Sequence, residues 1–338
     1  MSEQIQRHID DEWRRWIAEN LILEGSRESL LATLKSAGFA EAEAAAEIEV
    51  AATSPYLRGS QRLINRLKKR DWVLDIHRRL NRLLPGSEAV DVRRNLSRDE
   101  FLRNYYSTNR PVLIQGMLDD WPARQKWSPD YLKANFGDRT VEVQMHRQQN
   151  QRYEIQKDRH RQQMRMADYV DRVCSAGETN DFYMTAANSG QNVSSLADLW
   201  NDIGPLGEYL VSGSQQGFFW FGPQGTITPL HHDLTNNFMA QVYGRKLVKL
   251  IPSYDLPFLY NDQHCFSQVD AAAVDTARFP QFRNVRMIDC EIGPGDLLFL
   301  PVGWWHYVKG LSISMTVTFT NFVFANDFST NYTTFQTL

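Results

Sequence analysis

The N-terminal quarter of the chain has the hydrophobic spacing of amphipathic helices. Its first apolar residues recur at three- and four-residue steps: Ile5, Ile9, Trp13, Trp16 and Ile17. Because a helical turn contains 3.6 residues, this spacing predicts a first helix with one apolar face. Ser26 is a typical N-cap for a second helix, which Gly38 would end, and the Ala/Glu-rich segment 40–52 predicts a third.

A long helix is predicted next. Ser54-Pro55 breaks the preceding run, and the spacing then favours a helix over residues 59–84 that ends at Pro85-Gly86-Ser87. One side of this helix is predicted to face a partner, through Leu63, Leu67, Val73, Ile76, Leu80 and Leu83. The N-terminal region is therefore predicted to be helical throughout.

Beyond this region the pattern changes to short strands. Residues 110–116 and 140–144 have the composition of strands, and residues 130–136 predict a short helix between them. The Gln/Arg/Lys-rich segment 146–163 predicts an exposed loop or hairpin. From residue 218 to residue 324, short apolar runs alternate with Gly and Pro turns. The whole pattern predicts a helical N-terminal region packed on an all-β barrel.

Composition and charge narrow the class of protein. Of the 338 residues, 42% are hydrophobic and 12% aromatic, which is enough for a large β-rich core. The formal net charge of −3 gives no general attraction to nucleic acid. Three widely spaced cysteines indicate neither a disulfide framework nor a structural zinc site, and no apolar run is long enough to cross a membrane. A cytoplasmic protein with no nucleic-acid or membrane partner is predicted.

Two histidines and one aspartate are the leading candidates for chemistry. His231 and Asp233 are two residues apart in a predicted strand, so their side chains share a face while that of His232 points the other way. His306 follows a Pro/Gly turn at the start of another predicted strand. Two imidazoles and one carboxylate on one face are the ligand set of non-haem Fe(II) oxygenases, with open positions for substrate and dioxygen.

Simpler explanations exist for each part of this set. An isolated His-x-Asp is common by chance, and a histidine after two tryptophans is more often part of a core. Zinc is the competing metal, although its sites more often contain three histidines or thiolates. His264 is a further candidate ligand, but it lies in a polar segment that predicts a loop. The combination of the parts in one β-rich region favours iron.

Lys246 is the candidate partner for an anionic co-substrate. It ends the segment Gly244-Arg-Lys246, where a strand is predicted to begin. Strand alternation places Lys246 and Lys249 on opposite faces without deciding which one points inward. A lysine among apolar residues usually extends its ammonium group to solvent, so the pattern leaves both orientations open.

Several separated segments resemble one known family. The segment from Trp220 through Thr228-Pro-Leu-His-His-Asp233 to Lys246 resembles the JmjC-domain, cupin-type Fe(II)/2-oxoglutarate oxygenases. Residues 304–319 resemble the distal-histidine segment of these enzymes, and residues 110–128 resemble the opening of their domain. The similarity is to the branch that contains the HIF asparaginyl hydroxylase and the arginyl hydroxylases, and it covers roughly residues 90–325.

The resemblance implies a mainly β fold, a double-stranded β-helix of the cupin or jelly-roll type, to which the apolar spacing adds an N-terminal α-helical region. The spacing and the extent of the resemblance together divide the chain into three parts. Residues 1–88 would form a helical region for packing, dimerisation or substrate docking, residues 89–325 the JmjC catalytic domain, and residues 326–338 a C-terminal tail.

The same resemblance implies roles for individual residues. His231, Asp233 and His306 would bind Fe(II), with 2-oxoglutarate and O2 as co-substrates. Lys246 would pair with the distal carboxylate of 2-oxoglutarate in a charge-assisted contact. The remaining implied contacts are Thr228, Asn237 and Tyr183 for the co-substrate and Trp220 for the substrate.

The predicted function is hydroxylation of an amino-acid side chain in a protein or peptide, with succinate and CO2 as co-products. Segment 146–163 would line a groove for such a substrate. The alternatives are a hydroxylase of a small molecule or carrier-bound amino acid, a lysine demethylase, and a non-catalytic metal-binding cupin. Thr318 and Thr320 replace an asparagine and a tryptophan of the asparaginyl hydroxylase, so the substrate of that enzyme is not a guide. The N-terminal helices would pack on the barrel, form a homodimer interface or dock a substrate protein.

Overall fold

A computed structural model of the chain describes residues 8–186, 190–211, 217–261, 264–330 and 332. Its contacts divide the chain into two units, Met1–His77 and Arg78–Leu338. No helix within the described residues is long and apolar enough to span a membrane. Ile5 and most of the predicted tail 326–338 lie outside the described residues.

The first unit is helical, as the spacing of its apolar residues predicts. The side chain of Asp10 accepts a hydrogen bond from the amide of Trp13 and caps the first helix, and Ser26 caps the second in the same way through Ser29. The helices are α1 (Asp11–Ile22), α2 (Arg27–Ser36), α3 (Glu41–Thr53) and α4 (Pro55–Arg82), the last of which continues into the second unit. Their shared core contains Ile9, Ile17, Leu30, Leu34, Phe39, Ala44 and Ile48.

Helix α4 differs from the sequence-based prediction in two respects. It begins at Pro55 rather than at residue 59, because proline lacks only an amide that has no partner in the first helical turn. The oxygen of Ser54 accepts a hydrogen bond from the amide of Tyr56 at this junction. None of its side chains is buried by the described residues, and Leu63 and Leu80 of the predicted apolar side are more than half exposed.

Two β-sheets form the body of the second unit. The six-stranded sheet has the order β1-β2-β10-β7-β12-β5, and the four-stranded sheet has the order β6-β11-β8-β9. Neighbouring strands are antiparallel except β1 and β2. The strands are β1 (Asp91–Arg94), β2 (Val112–Gln115), β3 (Thr140–Gln144), β4 (Arg161–Arg165), β5 (Gly217–Gly222), β6 (Ile227–His232), β7 (Asn237–Tyr243), β8 (Lys246–Ile251), β9 (Ile288–Ile292), β10 (Leu297–Leu300), β11 (Trp305–Gly310) and β12 (Ser314–Phe319).

Short helices and helical turns surround the sheets. The α-helices are α5 (Arg98–Phe101), α6 (Pro122–Lys126), α7 (Pro129–Phe136), α8 (Met166–Ser175) and α9 (Gln191–Ser195). A π-helical turn continues α5 over Leu102–Tyr106. The 3-10 turns are Arg147–Gln149, Lys157–His160, Ala197–Asp202, Ser253–Phe258 and Pro280–Asn284.

Both faces of the two sheets are covered. Met239 and Leu298 of the six-stranded sheet pack against Val248 and Leu250 of the four-stranded sheet. The outer face of the six-stranded sheet packs against α5 to α8, and that of the four-stranded sheet packs against segments 252–261 and 264–287. Strands buried on both faces show long apolar runs instead of clean alternation. This two-sheet arrangement is a jelly roll and confirms the predicted mainly β fold class.

Segment 146–163 is less exposed than its composition predicts. Its last residues belong to β4, which pairs with β3 as a hairpin. His160 is buried, and the side chain of Arg147 is completely buried. The prediction of an exposed, charged segment was wrong for these two residues, because a cationic side chain can be buried when acceptors within the fold surround it.

Candidate metal centre

Two neighbouring strands of the four-stranded sheet place three potential metal ligands close together. His231 in β6 lies directly opposite His306 in β11, and Asp233 follows the end of β6. The Nε2 atoms of His231 and His306 lie 3.8 Å and 3.9 Å from the two carboxylate oxygens of Asp233. All three residues can direct one ligand atom into a cluster in which no two of these atoms are more than 4.8 Å apart.

Backbone carbonyl groups orient both imidazole rings. The Nδ1 atom of His231 lies 2.7 Å from the carbonyl oxygen of Pro229, and that of His306 lies 3.2 Å from the carbonyl oxygen of Trp304. Because a carbonyl oxygen only accepts, Nδ1 carries the hydrogen and the lone pair of the neutral ring is on Nε2. Burial lowers the pKa of His306 to about 4, so this ring is neutral at pH 7.

Asn237 positions the carboxylate of Asp233. Its Nδ2 donates a hydrogen bond of 3.0 Å to Oδ2 of Asp233. Burial alone would raise the pKa of Asp233, but the imidazoles of His306 and His231 and this hydrogen bond outweigh burial and keep that pKa below its ordinary value. Asp233 is therefore an anion at neutral pH. The Oδ1 atom of Asn237 is buried and has no hydrogen-bond partner among the described residues, so it can accept from a ligand.

The pairing of β6 with β11 is irregular beside His231. His306 pairs with His231, whereas Val308, two residues later, pairs with Thr228, three residues earlier. The extra residue in β6 makes a β-bulge, which shifts the alternation of its side chains. Thr228 consequently lines the same cavity as His231. Strict alternation would have placed Thr228 on the opposite face.

The other two histidines near the cluster are not part of it. The ring of His232 lies on the opposite face of β6, 4.8 Å from the ring of Trp305, as strand alternation predicts. His264 is exposed, and its carbonyl oxygen accepts a hydrogen bond from the hydroxyl of Tyr332. The candidate ligand His264 therefore does not join the three-residue cluster.

Lys246 enters the cavity from a tight turn between β7 and β8. Gly244 occupies this turn with a φ of +69°. A Cβ atom on Gly244 would lie 1.9 Å from the carbonyl oxygen of Ile313, so the turn requires glycine at this position. The strand that follows has Lys246 and Val248 buried and Lys249 on the other face, paired with Asp289.

The ammonium group of Lys246 is buried beside a tyrosine. Nζ of Lys246 donates a hydrogen bond of 3.0 Å to the hydroxyl oxygen of Tyr183, and each residue is 2% exposed. Burial lowers the pKa of Lys246 to about 7 and raises that of Tyr183. No carboxylate in the described ranges offsets the effect of burial on Lys246. An anionic ligand carboxylate would supply the missing counter-charge.

One cavity of about 70 Å³ contains both the histidine cluster and Lys246. The structure brings all eight site residues predicted from the sequence to its wall: Tyr183, Trp220, Thr228, His231, Asp233, Asn237, Lys246 and His306. The sequence analysis did not assign five further lining residues to the site: Met239, Leu300, Val308, Thr316 and Thr318.

The two threonines of β12 have specific partners at the cavity wall. Thr316 donates a hydrogen bond of 2.8 Å to the side-chain oxygen of Gln241, and Trp220 donates one of 3.1 Å to the hydroxyl of Thr318. Thr316 and Thr318 alternate with buried apolar residues of the same strand. Polar residues at alternate positions of an otherwise apolar strand were the signal that could have identified them.

The donor set fits a divalent iron ion. Metal–ligand bonds of about 2.0–2.2 Å allow two donors to be at most about 4.4 Å apart. Each histidine Nε2 lies within this limit of one carboxylate oxygen of Asp233, at 3.8 Å and 3.9 Å, and the three ligand atoms together lie within 4.8 Å of one another. Two neutral imidazoles and one carboxylate are the ligand types of non-haem Fe(II) sites.

Comparison with known proteins identifies a matching family and several relatives of this chain. Residues 98–329 match a family model described as "Cupin-like domain". The chain is 34% identical over 239 residues to "Lysine-specific demethylase JMJ30" of Arabidopsis thaliana, which covers 69% of this chain and 54% of that protein. It is 31% identical over 238 residues to "Lysine-specific demethylase 8" of Xenopus tropicalis. This alignment covers 66% of this chain and 50% of that protein.

A third relative has a less specific name. The chain is 29% identical over 242 residues to "Jumonji C domain-containing protein 5" of Drosophila melanogaster, which covers 66% of this chain and 57% of that protein. The chain thus spans about half the length of the curated relatives it matches. These relatives support the predicted JmjC and cupin-like resemblance, and two of them are named demethylases rather than asparaginyl or arginyl hydroxylases.

The relatives also bear on the cofactors. JmjC enzymes use Fe(II) with 2-oxoglutarate and O2, and the His–Asp–His donor set of such enzymes is present here. The cofactors predicted from the sequence are thereby confirmed.

Proposed function

Because the chain belongs to the family of cupin-like domains, we propose that it is an Fe(II)- and 2-oxoglutarate-dependent oxygenase that hydroxylates an amino-acid side chain in a protein or peptide. The observation that carries the proposal is the shared cavity, in which three metal-ligand side chains face a buried lysine. When bound, the cofactors couple oxidative decarboxylation of 2-oxoglutarate to succinate and CO2 with insertion of one oxygen atom into a substrate C–H bond.

Different side chains of this cavity would bind the iron and the 2-oxoglutarate. His231, Asp233 and His306 would hold Fe(II), and the carbonyl and amide contacts described above fix their orientation. Lys246, with the hydroxyl of Tyr183, would bind the distal carboxylate of 2-oxoglutarate. The apolar part of the wall, formed by Met239, Leu300 and Val308, would limit access of water and so strengthen the lysine–carboxylate attraction.

Thr228, Asn237 and Trp220 are the remaining predicted site residues, and each would have a supporting role. Thr228 offers a hydroxyl to the co-substrate from the bulge in β6. Asn237 donates a hydrogen bond to Asp233, and the resemblance assigns its amide to the co-substrate as well. Trp220, held by Thr318, forms part of the wall where a substrate side chain would enter.

Lysine demethylation is the second candidate, and the names of two relatives favour it. The two reactions share their first chemical change, because an N-methyl carbon hydroxylated in the same way breaks down to formaldehyde and an amine. The cavity favours a neutral target instead. Among the described residues of its wall Asp233 is the sole carboxylate, and as a metal ligand it cannot also neutralise a methylated ammonium group.

The chain organisation is also part of the proposal. We assign residues 1–88 to a helical region for packing, homodimerisation or substrate docking, and residues 89–325 to the catalytic domain. Sedimentation of the full chain tests the homodimer directly, because a dimer doubles the mass measured for one chain.

A cytoplasmic location is proposed from the cysteine pattern.

One experiment tests the function. The full chain is incubated with Fe(II), 2-oxoglutarate, O2 and a peptide library that contains unmodified and methylated lysine peptides, and the products are analysed by mass spectrometry. We expect peptides that gain one oxygen atom, with succinate formed in equal amount. Loss of one methylene unit with release of formaldehyde would establish demethylation instead. Oxidation of an added small molecule but of no peptide would contradict the protein substrate.

Two matched variants control for adventitious oxidation. His231→Ala removes a proposed ligand, whereas His232→Ala changes the neighbouring ring that points out of the cavity. Product formation should stop in the first variant and continue in the second. A wild-type protein that binds neither Fe(II) nor 2-oxoglutarate would refute the oxygenase proposal as a whole.

A further inference from the structure

Arg147 is a completely buried cation outside the wall of the metal cavity. Its Nη2 donates hydrogen bonds of 2.7 Å to Oε1 of Glu154 and of 2.8 Å to the carbonyl oxygen of Ile227. Its Nη1 donates one of 2.9 Å to the side-chain oxygen of Asn180. Glu154 supplies the counter-charge, since its carboxylate forms the ion pair at the same 2.7 Å. Removing a guanidinium group from water costs free energy even when it is paired with a carboxylate. An apolar side chain would fill this position at lower cost, so the presence of arginine suggests a role beyond packing.

The guanidinium group also lies between two tyrosine rings. Its Cζ is 4.2 Å from the ring centroid of Tyr153 and 5.3 Å from that of Tyr183. Both distances are within the range of cation–π attraction, which is stronger when both groups are removed from water. Tyr183 is the residue whose hydroxyl accepts the hydrogen bond from Nζ of Lys246. Arg147 is therefore linked to Lys246 through a single side chain.

A second contact connects Arg147 to the strand that carries the metal ligands. The carbonyl oxygen of Ile227 belongs to the first residue of β6, next to Thr228 and four residues before His231. It accepts hydrogen bonds from Arg147 and from the hydroxyl of Tyr153. These two hydrogen bonds fix the start of β6, next to the bulge that directs Thr228 into the cavity.

We propose that Arg147 is a positioning residue for the 2-oxoglutarate end of the cavity. Its cation fixes the ring of Tyr183, and that ring in turn fixes the ammonium group of Lys246 at the place where the distal carboxylate binds. Without the guanidinium group Tyr183 and Lys246 can still form their hydrogen bond, but both side chains occupy a wider range of positions. Because these side chains must then be ordered when 2-oxoglutarate binds, its affinity is lower. This inference rests on the proposed function, because it concerns how the same site recognises 2-oxoglutarate.

The test compares two arginines with the same kinds of contact. Arg139 also donates to a backbone carbonyl and a carboxylate, those of Ser195 and Asp198, and its Cζ lies 4.8 Å from the ring centroid of Phe136. Its ring partner Phe136 does not line the metal cavity, whereas Tyr183 does. Arg147→Lys and Arg139→Lys each keep the positive charge but lose the planar, forked donor geometry.

The measurement is calorimetric titration of 2-oxoglutarate into the Fe(II)-loaded full chain without oxygen. We expect Arg147→Lys to raise the Kd for 2-oxoglutarate about fivefold, a typical coupling between residues of one network, and to leave the Kd for Fe(II) unchanged. Arg139→Lys should change neither constant. In steady-state assays Arg147→Lys should raise the KM for 2-oxoglutarate while kcat stays near that of the wild type. Equal 2-oxoglutarate affinity in the Arg147→Lys protein and the wild type would overturn the inference.

A double-mutant cycle tests whether the effect passes through Tyr183. In a Tyr183→Phe background the ring remains but its hydrogen bond to Lys246 is lost, so Arg147→Lys should cause little further weakening. The same fivefold loss in that background would show that Arg147 acts by another route and would refute the proposed link. A wild-type protein that does not bind 2-oxoglutarate would instead refute the proposed function itself.

A second pair of variants covers the case in which Arg147→Lys does not fold. Glu154→Gln leaves the guanidinium group in place but replaces the ion pair with a weaker hydrogen bond to a neutral amide oxygen. It should raise the Kd for 2-oxoglutarate in the same direction. Asp198→Asn makes the matched change beside Arg139 and should leave this Kd unchanged. Equal effects of the two variants would contradict a specific role for Arg147.

Discussion

His231 and His306 face each other across an antiparallel strand pair, with their ring centroids 4.1 Å apart. This contact brings together residues that are distant in the sequence and places both Nε2 atoms beside the carboxylate of Asp233. The two rings lie on adjacent strands of one sheet, so the backbone hydrogen bonds of the sheet fix their separation. The pairing of the two strands therefore sets the positions of both histidines, and the parts of the site can be tested one at a time.

Removal of a ligand side chain should abolish metal binding. Loss of a residue that only supports a metal ligand typically weakens metal affinity by about 10- to 100-fold, so His231→Ala or Asp233→Ala should weaken Fe(II) binding by more than about 100-fold. Anaerobic titration with Fe(II) measures this change. His232→Ala is the control and should bind Fe(II) like the wild type, since its ring packs against Trp305. Undiminished Fe(II) affinity in both ligand variants would disprove the ligand assignment.

Asn237 should act on the metal as well as on the co-substrate. Asn237→Ala removes the hydrogen bond to Oδ2 of Asp233, so we expect Fe(II) affinity to fall by about 10- to 100-fold. Circular dichroism should show the same fold as the wild type. If only 2-oxoglutarate binding weakens and Fe(II) affinity is unchanged, Asn237 is a co-substrate contact without a supporting role for Asp233.

Binding of 2-oxoglutarate should take up a proton at alkaline pH. Burial lowers the pKa of free Lys246 to about 7, and a carboxylate ligand will raise it. Lys246 is thus charged without ligand only below pH 7, so affinity should be highest there and should fall as pH rises above 7. Calorimetry at pH 8 in buffers of different ionisation enthalpy measures the proton uptake. Lys246→Met should bind weakly and without this pH dependence, whereas a wild-type affinity that is flat from pH 6 to 9 would contradict the prediction.

The same buried lysine should lower the stability of the ligand-free protein. The pKa of Lys246 falls from an ordinary value of 10.5 to about 7 on folding, so the unfolded chain binds more protons between these two pH values. The free energy of unfolding should therefore rise with pH across this window. Lys246→Met should raise the melting temperature most at pH 7 and below, and its advantage should shrink towards pH 10.5. A lower melting temperature for Lys246→Met at pH 7 would contradict this expectation.

The sequence determined the local relationships of this protein. Strand alternation placed His231 and Asp233 on one face and His232 on the other, and the structure has the same arrangement. Apolar spacing predicted the helices of the first unit, and Ser26 marked the start of α2. These features depend on neighbouring residues along one element, whose geometry is regular, so they can be derived without knowledge of the fold.

Only the tertiary structure decided which face of an element turns inward and where regular geometry fails. Alternation left Lys246 and Lys249 equivalent, and the packing of the second sheet buried Lys246. The bulge in β6 arises from pairing with β11, so alternation from His231 alone misplaces Thr228. Arg147 looked like a solvated residue because two of its acceptors, Asn180 and Ile227, come from distant parts of the chain. Each of these outcomes depends on contacts between elements, which the pattern within one element does not contain.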